Sequence, residues 1–309
     1  MKTLATLILL GLLGSFAGTV RGELRVVPAS DPARVFAGAG RALPVLWRNT
    51  GDVAVAADVR MRLLQTSSAT STTIGEWPWK KLQVLPGQTI SDRAMLDFPE
   101  VKAETRFLVQ WLAVGSGTGF QPVHEGDATK ANAAIISTAE QTGKMPVPLL
   151  GTTEVLVYPT NLLTELKPLA GEDQPAGVFD PGNVLKPLLK AVGVKFEDLE
   201  DSGIASFRGK LAIIGPFNSR EQMPGDLAER IEKLARKGAG VVWLQPPPSP
   251  REKLQPSFRT VPLGAGAVVI VQPQLVANLA DNPQAQLNLL HFCRLAREPE
   301  PPRLPNLNP

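Results

Sequence analysis

The sequence predicts a mixed fold, an antiparallel β-sandwich followed by a three-layer α/β domain. Residues 23–114 contain short runs of alternating apolar and polar residues between turn-forming residues, a pattern typical of antiparallel strands. From residue 177 onward, short apolar runs alternate with segments whose apolar residues recur every three or four positions. The clearest case is 209–244, where strand, amphipathic helix and strand form a βαβ unit and therefore a parallel sheet.

Residues 1–22 have the pattern of a secretory signal peptide. Lys2 supplies a positive charge, and the apolar run Leu4–Leu13 that follows is too short to span a bilayer. Cleavage after Ala17 or after Gly22 fits the small residues there, and an uncleaved membrane anchor is the alternative. The sequence therefore predicts a periplasmic or secreted protein with no membrane span after signal removal.

Composition narrows the classes of function. The 309 residues include 32 basic and 29 acidic side chains, and two of the basic ones, Lys2 and Arg21, fall within the predicted signal. A balance so close to neutral gives no reason to expect a nucleic-acid partner. With one cysteine, Cys293, and two histidines, neither an internal disulfide nor a His/Cys metal site is expected. The sequence also lacks a glycine-rich phosphate cradle, and no cofactor is predicted.

The amino-terminal domain is predicted to be all β. Its predicted strands are 24–27, 43–48, 53–64, 80–85, 89–96 and 105–114. Short strands without a helical period favour an immunoglobulin-like (Ig-like) sandwich. Trp47, Trp77, Trp79 and Trp111 all lie here and either fill the core or line a sugar-binding face. The second interpretation makes Trp77 and Trp79 candidate ligand-binding residues, and Pro78 between them suggests a loop or a sheet edge.

A repeated peptide interrupts this domain. The peptide TGFQPV is echoed 24 residues later by TGKMPV, and the residues between them show little apolar period. Over 117–148 the sequence resembles the peptides that arise when an interspersed DNA repeat is translated inside a bacterial gene. We therefore predict a disordered surface insert over 115–149. A ligand lid that uses His124 and Glu125 is the alternative.

The predicted boundaries follow from these patterns. The segments are a β domain over 23–158, a linker helix within 159–176, an α/β domain over 177–298 and a proline-rich tail over 299–309. Within the β domain, 105–114 and 152–158 are expected to be neighbouring strands on either side of the insert.

The α/β domain is predicted to contain a small parallel sheet with helices on both sides, of flavodoxin-like type. The predicted strands are 177–179, 194–199, 211–214, 241–244 and 267–271. One helix is expected to begin at Asp180-Pro181, with the carboxylate as its cap and the proline in its first turn. Further helices are expected at 224–237 and after a cap at Asp281 or Asn282.

The order of these elements resembles the class I glutamine amidotransferase-like domain. The resemblance covers 177–298 and is carried by the strand that ends in Asp180-Pro181, by Leu211–Gly215 before a proline, and by the strand 241–244. The segment Leu275–Leu290 resembles versions fused to secreted sugar-processing proteins such as β-galactosidases.

This chain departs from that family where the nucleophile belongs. In active members a cysteine lies on the tight turn just after the strand that matches 241–244, assisted by a histidine and a glutamate. Here the turn reads Gln245-Pro246-Pro247-Pro248-Ser249-Pro250. Proline supplies neither a nucleophile nor an amide donor for an oxyanion hole. The resemblance therefore implies an amidotransferase-like fold without its catalytic cysteine.

Several polar residues remain as candidates. Asp180, Asn218 and Gln245 follow predicted strands, where α/β domains bind ligands, and are candidate ligand-binding residues. Another strand is followed by an acidic cluster, which is either a ligand site or a solvated loop; its members are Glu197, Asp198, Glu200 and Asp201. His291 and Cys293 are two residues apart on a predicted helix and point to different sides, so Cys293 is expected to be buried.

The sequence thus predicts no catalytic, cofactor-binding or metal-binding residue. It favours an exported non-catalytic binding or scaffolding protein connected with glycan handling, whose partner is a polysaccharide or another exported protein. One alternative is an atypical hydrolase that acts on a glycan or an ester through strand-end carboxylates. A third is that the α/β domain serves as a dimerisation surface.

Overall fold

The fold is mixed, with more strand than helix, and its strands form three sheets. The computed structural model describes residues 23–114, 147–171, 174–248 and 257–298. The chain divides into two compact units that interleave along the sequence. The first unit takes in 1–30, 44–94 and 108–153, and the second takes in 31–43, 95–107 and 154–309. None of the helices in the described ranges combines the length and the apolarity that crossing a bilayer requires.

The described residues of the amino-terminal half, up to Tyr158, contain strands and no helix, as predicted. Its strands are β1 Leu24–Val26, β2 Ala33–Phe36, β3 Gly38–Asn49, β4 Val55–Thr66, β5 Ser71–Val84, β6 Thr89–Phe98, β7 Thr105–Val114 and β8 Leu149–Tyr158. One sheet has the order β1-β3-β6 and another the order β2-β8-β7-β4-β5. One pairing departs from the antiparallel prediction: the short edge strand β2, which the sequence did not predict, runs parallel to β8.

The Trp-Pro-Trp peptide, residues 77–79, lies within strand β5. This is an edge strand that pairs with β4 along its length, so the alternative of a loop at Pro78 is wrong and that of a sheet edge is right. The register shifts between Val59 and Arg60, where Arg60 lies opposite Pro78. A proline, which lacks an N–H, is tolerated at an edge or a bulge, and Pro78 has both.

Strands β7 and β8 are neighbours, as predicted for the two strands that flank the insert. The N–H of Ala113 donates to the carbonyl of Pro148 at 2.9 Å, close to where each strand meets the insert. Residues 115–146 lie outside the described residues, as do His124 and Glu125 of the alternative lid. Their predicted role therefore stays a prediction.

The carboxyl-terminal elements alternate strand and helix. They are α1 Leu166–Ala170, β9 Ala176–Phe179, α2 Leu185–Ala191, β10 Phe196–Asp198, α3 Leu199–Ser202, β11 Leu211–Ile214, α4 Leu227–Arg236, β12 Gly240–Leu244, β13 Phe258–Leu263, β14 Gly266–Val271 and α5 Pro283–Arg297, with short 3-10 turns between some of them. The sheet has the order β10-β9-β11-β12-β14-β13. All its pairings are parallel except that of β13 with β14, so the predicted parallel sheet is confirmed.

Alternate side chains of this sheet enter two separate cores. Ile213 and Val242 pack into a cluster with Leu185 of α2 and Leu289 of α5. Their neighbours along the strands, such as Ala212 and Val241, pack into a second cluster with Ile231 and Leu234 of α4. Strands that are buried on both faces must be apolar throughout, which is why β11 and β12 contain no polar residue.

Three details of this half differ from the sequence prediction. Helix α2 begins at Leu185, so Pro181 precedes it by a full turn, because Asn183 takes a positive φ of 50° and delays the helix. The strand expected over 194–199 is shorter, since Leu199 begins α3. The exposed edge strand β13 was missed because it lacks a regular apolar pattern.

Tyr158, at the end of β8, is a buried ionisable group in the second unit. Its hydroxyl donates to Oε2 of Glu104 at 2.6 Å. Burial, together with this bond to a carboxylate, raises the pKa of Tyr158 to about 12, even though Arg34 acts in the opposite direction. The folded protein therefore keeps this phenol neutral at a pH at which the unfolded chain ionises it.

This linkage predicts a loss of stability in alkali. The contribution of Tyr158 is complete below a pH of about 10 and is lost as the pH rises through about 12. Over that range we expect the wild type to lose about 2 kcal/mol more unfolding free energy than a Tyr158→Phe variant. Urea unfolding at a series of pH values checks this, and parallel curves for the two proteins would contradict it.

Candidate functional site

Three of the predicted ligand-binding residues follow neighbouring strands of the parallel sheet. Asp180 follows β9, Asn218 lies in the loop after β11, and Gln245 follows β12. β9 and β11 are adjacent in the sheet, but the chain leaves them in opposite directions. From β9 it continues to β10 at one edge of the sheet, and from β11 it continues to β12 on the other side. Ligands of α/β sheets bind at such a point of divergence. We call the loops 180–184, 215–222 and 245–248 the carboxyl edge.

The side chain of Asp180 bonds to the backbone at the start of α2. Its side chain is 1% exposed, and its two carboxylate oxygens accept the N–H groups of Val184, Leu185 and Lys186 at 3.1, 2.7 and 2.9 Å. The N–H groups of Leu185 and Lys186 lie in the first turn of α2 and that of Val184 just before it, and none of the three has an acceptor within the helix. The predicted capping by the carboxylate is confirmed, but the helix begins later than predicted and Pro181 is not in its first turn. Little of the carboxylate remains available to a ligand.

The loop after β11 closes against the loop after β9. Nδ2 of Asn218 donates to the carbonyl of Gly182 at 3.5 Å, and Nε2 of Gln222 donates to the carbonyl of Pro181 at 3.4 Å. A Cβ at Gly182 would lie 3.1 Å from the carbonyl oxygen of Pro216, so the two loops touch through a position where glycine leaves room. The crevice between β9 and β11 is therefore occupied by the protein's own groups.

The described part of the proline run after β12, Pro246–Pro248, belongs to no helix or strand. The N–H of Gln245 donates to the carbonyl of Val271 at 2.8 Å, which prolongs the pairing with β14 beyond the end of the strand. Nε of Arg220 donates to the carbonyl of Pro247 at 3.4 Å. No helix begins at the described residues Pro246–Pro248, so they present neither the sharp turn nor the free amides of a nucleophile site. Ser249 lies outside the described residues.

The acidic cluster is organised by a lysine that the sequence did not single out. Nζ of Lys186 lies 2.6 Å from Oδ2 of Asp198 and 2.5 Å from Oε1 of Glu200, and its side chain is only 12% exposed. Burial acts to raise the pKa of Asp198, but the bonds to Lys186 and to the N–H of Glu200 lower it overall. Glu197, in turn, accepts the hydroxyl of Ser202 at 2.7 Å. One ammonium group thus pairs with two of the four carboxylates, and a hydroxyl bonds to a third.

Cys293 and His291 occupy different environments on α5. Cys293 is fully buried, as predicted, and burial raises the pKa of its thiol well above the usual range. His291 is exposed, and its ring lies against those of Phe258 and Phe292. In the described part of the chain, no three His, Cys, Asp or Glu side chains are grouped as metal ligands.

The tryptophans of the β domain form a cluster in the first unit. The ring of Trp79 stacks on that of Trp47 with centroids 5.6 Å apart, and Trp111 lies 5.3 Å from Trp47 and 5.2 Å from Trp79. Trp47 and Trp111 are fully buried, and Nε1 of Trp111 donates to the hydroxyl of Thr153 at 2.9 Å. These two residues belong to the core rather than to a sugar-binding face.

Trp77 and Trp79 keep part of their surface exposed. Trp77 is 38% exposed, and its ring covers Gly75, where a Cβ would lie 2.5 Å from the ring. Trp79 borders a pocket of about 330 Å³ together with Pro78, Val59 and Lys81. Lys81 is 87% exposed and lies 3.7 Å from the carboxylate of Asp58. An aromatic ring edge beside exposed charged groups can bind a sugar. The sequence did not reveal this pocket, because residues of both β4 and β5 line it.

Comparison with known proteins gives no close relative. No protein-family model matches the chain, and neither does any curated protein. Solved structures are weakly similar. The alkylpurine DNA glycosylase AlkC of Pseudomonas fluorescens has a TM-score of 0.27 and 12% identity, with 45% of this chain and 31% of that chain covered. Spo0M, a sporulation control protein of Bacillus subtilis, has a TM-score of 0.26 and 10% identity, with 48% and 56% covered.

A β-glucosidase of Listeria innocua is similar with a TM-score of 0.25 and 15% identity over 44% of this chain and 16% of that chain. The chain therefore spans less than two thirds of each of these structures. Similarities at such low scores carry no inference about what this chain binds or catalyses.

Proposed function

We propose that this chain is an exported, non-catalytic binding or scaffolding protein with an Ig-like β domain and a degenerate amidotransferase-like α/β domain. The observation that carries the proposal is the self-occupied carboxyl edge. There the carboxylate of Asp180 caps α2, Asn218 bonds to Gly182, and Arg220 bonds to Pro247. A catalytic site at this edge would instead need polar groups that point at a substrate.

The strand order supports the flavodoxin-like part of the proposal. Numbered along the chain, the five parallel strands have the spatial order 2-1-3-4-5, which is that of flavodoxin-like sheets, with β13 added as an antiparallel edge. The amidotransferase-like part rests on the sequence resemblance and on the prolines after β12, which stand where active members place their cysteine.

Export is proposed from the signal-like pattern of residues 1–22. Glycan binding is proposed at the pocket beside Trp79, because aromatic surfaces pack on sugar rings and the nearby Asp58 and Lys81 can bond to hydroxyl groups. A polysaccharide or another exported protein is the partner that this arrangement fits.

The alternative of a hydrolase needs two carboxylates that face a common cleft at a separation of about 5–10 Å. Asp180 of the carboxyl edge is bonded to backbone N–H groups, and Asp198 and Glu200, beside the neighbouring strand β10, are bonded to Lys186. These bonds weigh against the alternative and favour the binding protein.

Activity and binding assays on one preparation test the proposal. We expect no turnover of glutamine or of chromogenic esters and glycosides, together with binding to at least one polysaccharide on a glycan array. A Trp79→Leu variant should bind about tenfold more weakly because it loses the aromatic contact, and circular dichroism checks that it stays folded, since Trp79 also stacks on Trp47. A Lys81→Met variant should also bind more weakly with its fold intact, since Lys81 is 87% exposed.

Trp77→Leu is the matched control, because Trp77 does not line the pocket. Turnover that disappears in a Glu200→Gln variant would establish the hydrolase instead. Glycan binding that is unchanged in both the Trp79 and the Lys81 variants would reject the pocket beside Trp79.

A further inference from the structure

A second pocket lies in the second unit, near the amino-terminal ends of two strands of the parallel sheet. Its volume is about 970 Å³, which suits a ligand of several rings. It lies where β9 and β10 begin, because Pro175 and Lys195 immediately precede these strands. It shares no lining residue with the pocket beside Trp79.

The charges that line this pocket are mostly positive. Lys167 of α1, Lys190 of α2 and Lys195 before β10 all border it, and all three are exposed to solvent. Among the described lining residues the one carboxylate is that of Asp198, which is already bonded to Lys186. Lys190 also contributes to lowering the pKa of Asp198, after the larger effects of burial, which raises it, and of the nearby hydrogen bonds. Among the described lining residues, three lysine charges therefore face one carboxylate that is already paired.

Part of the pocket lining is apolar. Pro175, Val194 and Phe196 belong to that part, and Nζ of Lys190 lies 6.0 Å from the centroid of the Phe196 ring. Apolar surface beside ammonium groups suits a ligand that has both a nonpolar face and negative charges. A pyranose ring with a carboxylate meets both requirements, because its C–H face packs on aromatic rings while its carboxylate pairs with lysine.

We propose that this pocket binds an acidic saccharide, with Lys167, Lys190 and Lys195 holding its carboxylates and Phe196 contacting its ring face. Lys167 and Lys190 also lie in the last turns of their helices, where a positive charge suits the helix dipole. A role confined to the helix ends would not make the protein distinguish a charged sugar from a neutral one. Glu172 and Asp173 lie outside the described residues.

Calorimetric titration of the purified protein with trigalacturonate tests the proposal, with the neutral galactotriose and inorganic phosphate as comparison probes. We expect one site for the acidic trisaccharide and none for the neutral one, with affinity that falls steeply as the salt concentration rises to about 0.5 M. A triple variant, Lys167→Gln with Lys190→Gln and Lys195→Gln, should bind about tenfold more weakly, since each exposed ion pair contributes about twofold.

The matched control replaces three exposed lysines elsewhere, namely Lys102, Lys233 and Lys237, and should bind like the wild type. If the pocket variant does not fold, Lys195→Gln alone should still weaken binding about twofold. The proposal fails if the wild type does not bind, if both triple variants weaken equally, or if phosphate binds as tightly as the trisaccharide. Each of these results leaves the proposal for the Trp79 pocket standing, because that pocket is tested with different variants.

Discussion

A Trp111→Ala variant is expected to lose about 3–5 kcal/mol of unfolding free energy, the cost of truncating a fully buried aromatic side chain. The ring of Trp111 is 0% exposed and lies against the rings of Trp47 and Trp79. Its removal would leave a cavity between two other large rings, and rigid rings cannot collapse into it. It would also leave the hydroxyl of Thr153 without its indole partner. Urea unfolding followed by circular dichroism measures the loss without relying on tryptophan fluorescence.

Trp77→Ala is the control for this prediction. Trp77 is the same residue type in the same unit but is 38% exposed, so its truncation should cost only about 1 kcal/mol. A Trp111→Phe variant should fall between the two, since it keeps most of the buried area and loses the bond to Thr153. Equal losses for Trp77→Ala and Trp111→Ala would contradict the assignment of Trp111 to the core. That result would restore the tryptophans as a group to a surface role.

The α/β core was predictable because its signal is local. Strand β11 has the predicted bounds, Leu211–Ile214, and β12 differs from the prediction by one residue. A strand buried on both faces contains only apolar residues, and a helix beside it shows its buried stripe every three or four positions. These patterns do not depend on what the rest of the chain does.

The long edge strand β5 was less predictable, because its extended conformation is stabilised by hydrogen bonds to another strand. Strand β5 spans Ser71–Val84, but only its last few residues, from Lys80 on, were predicted. Most of the strand is exposed, with no regular alternation of apolar and polar residues in its first half. Its extended conformation follows from pairing with β4, which the sequence does not encode locally.

Individual residues of the candidate site were predictable from the sequence, but the bonds between residues of different segments were not. The capping role of Asp180 followed from the Asp-Pro dipeptide after a strand. That Lys186 would pair with both Asp198 and Glu200 did not follow, because the bonding partners come from α2, from β10 and from α3. The three lysines of the second pocket also come from separate segments, so no stretch of the sequence is unusually basic there.

An Asp180→Ala variant is expected to lose about 3 kcal/mol of unfolding free energy. The substitution would leave the N–H groups of Val184, Leu185 and Lys186 without their carboxylate acceptor, and that of Leu185 is buried away from water. Hydrogen exchange should show faster exchange at these three amides, and urea unfolding should give the free energy. Asp201→Ala is the matched control, because Asp201 is an exposed carboxylate after the neighbouring strand, and its loss should change stability by less than about 0.5 kcal/mol.

The sign of the Asp180 result separates the two interpretations of the carboxyl edge. Residues kept for catalysis or binding are commonly unfavourable for stability, so replacing them leaves a protein as stable as before or more so. A large loss of stability in Asp180→Ala would therefore mark Asp180 as a structural cap, and the non-catalytic proposal requires that outcome. Unchanged stability, with a change in binding or turnover, would show that the carboxylate is held for a ligand and that the edge is a working site.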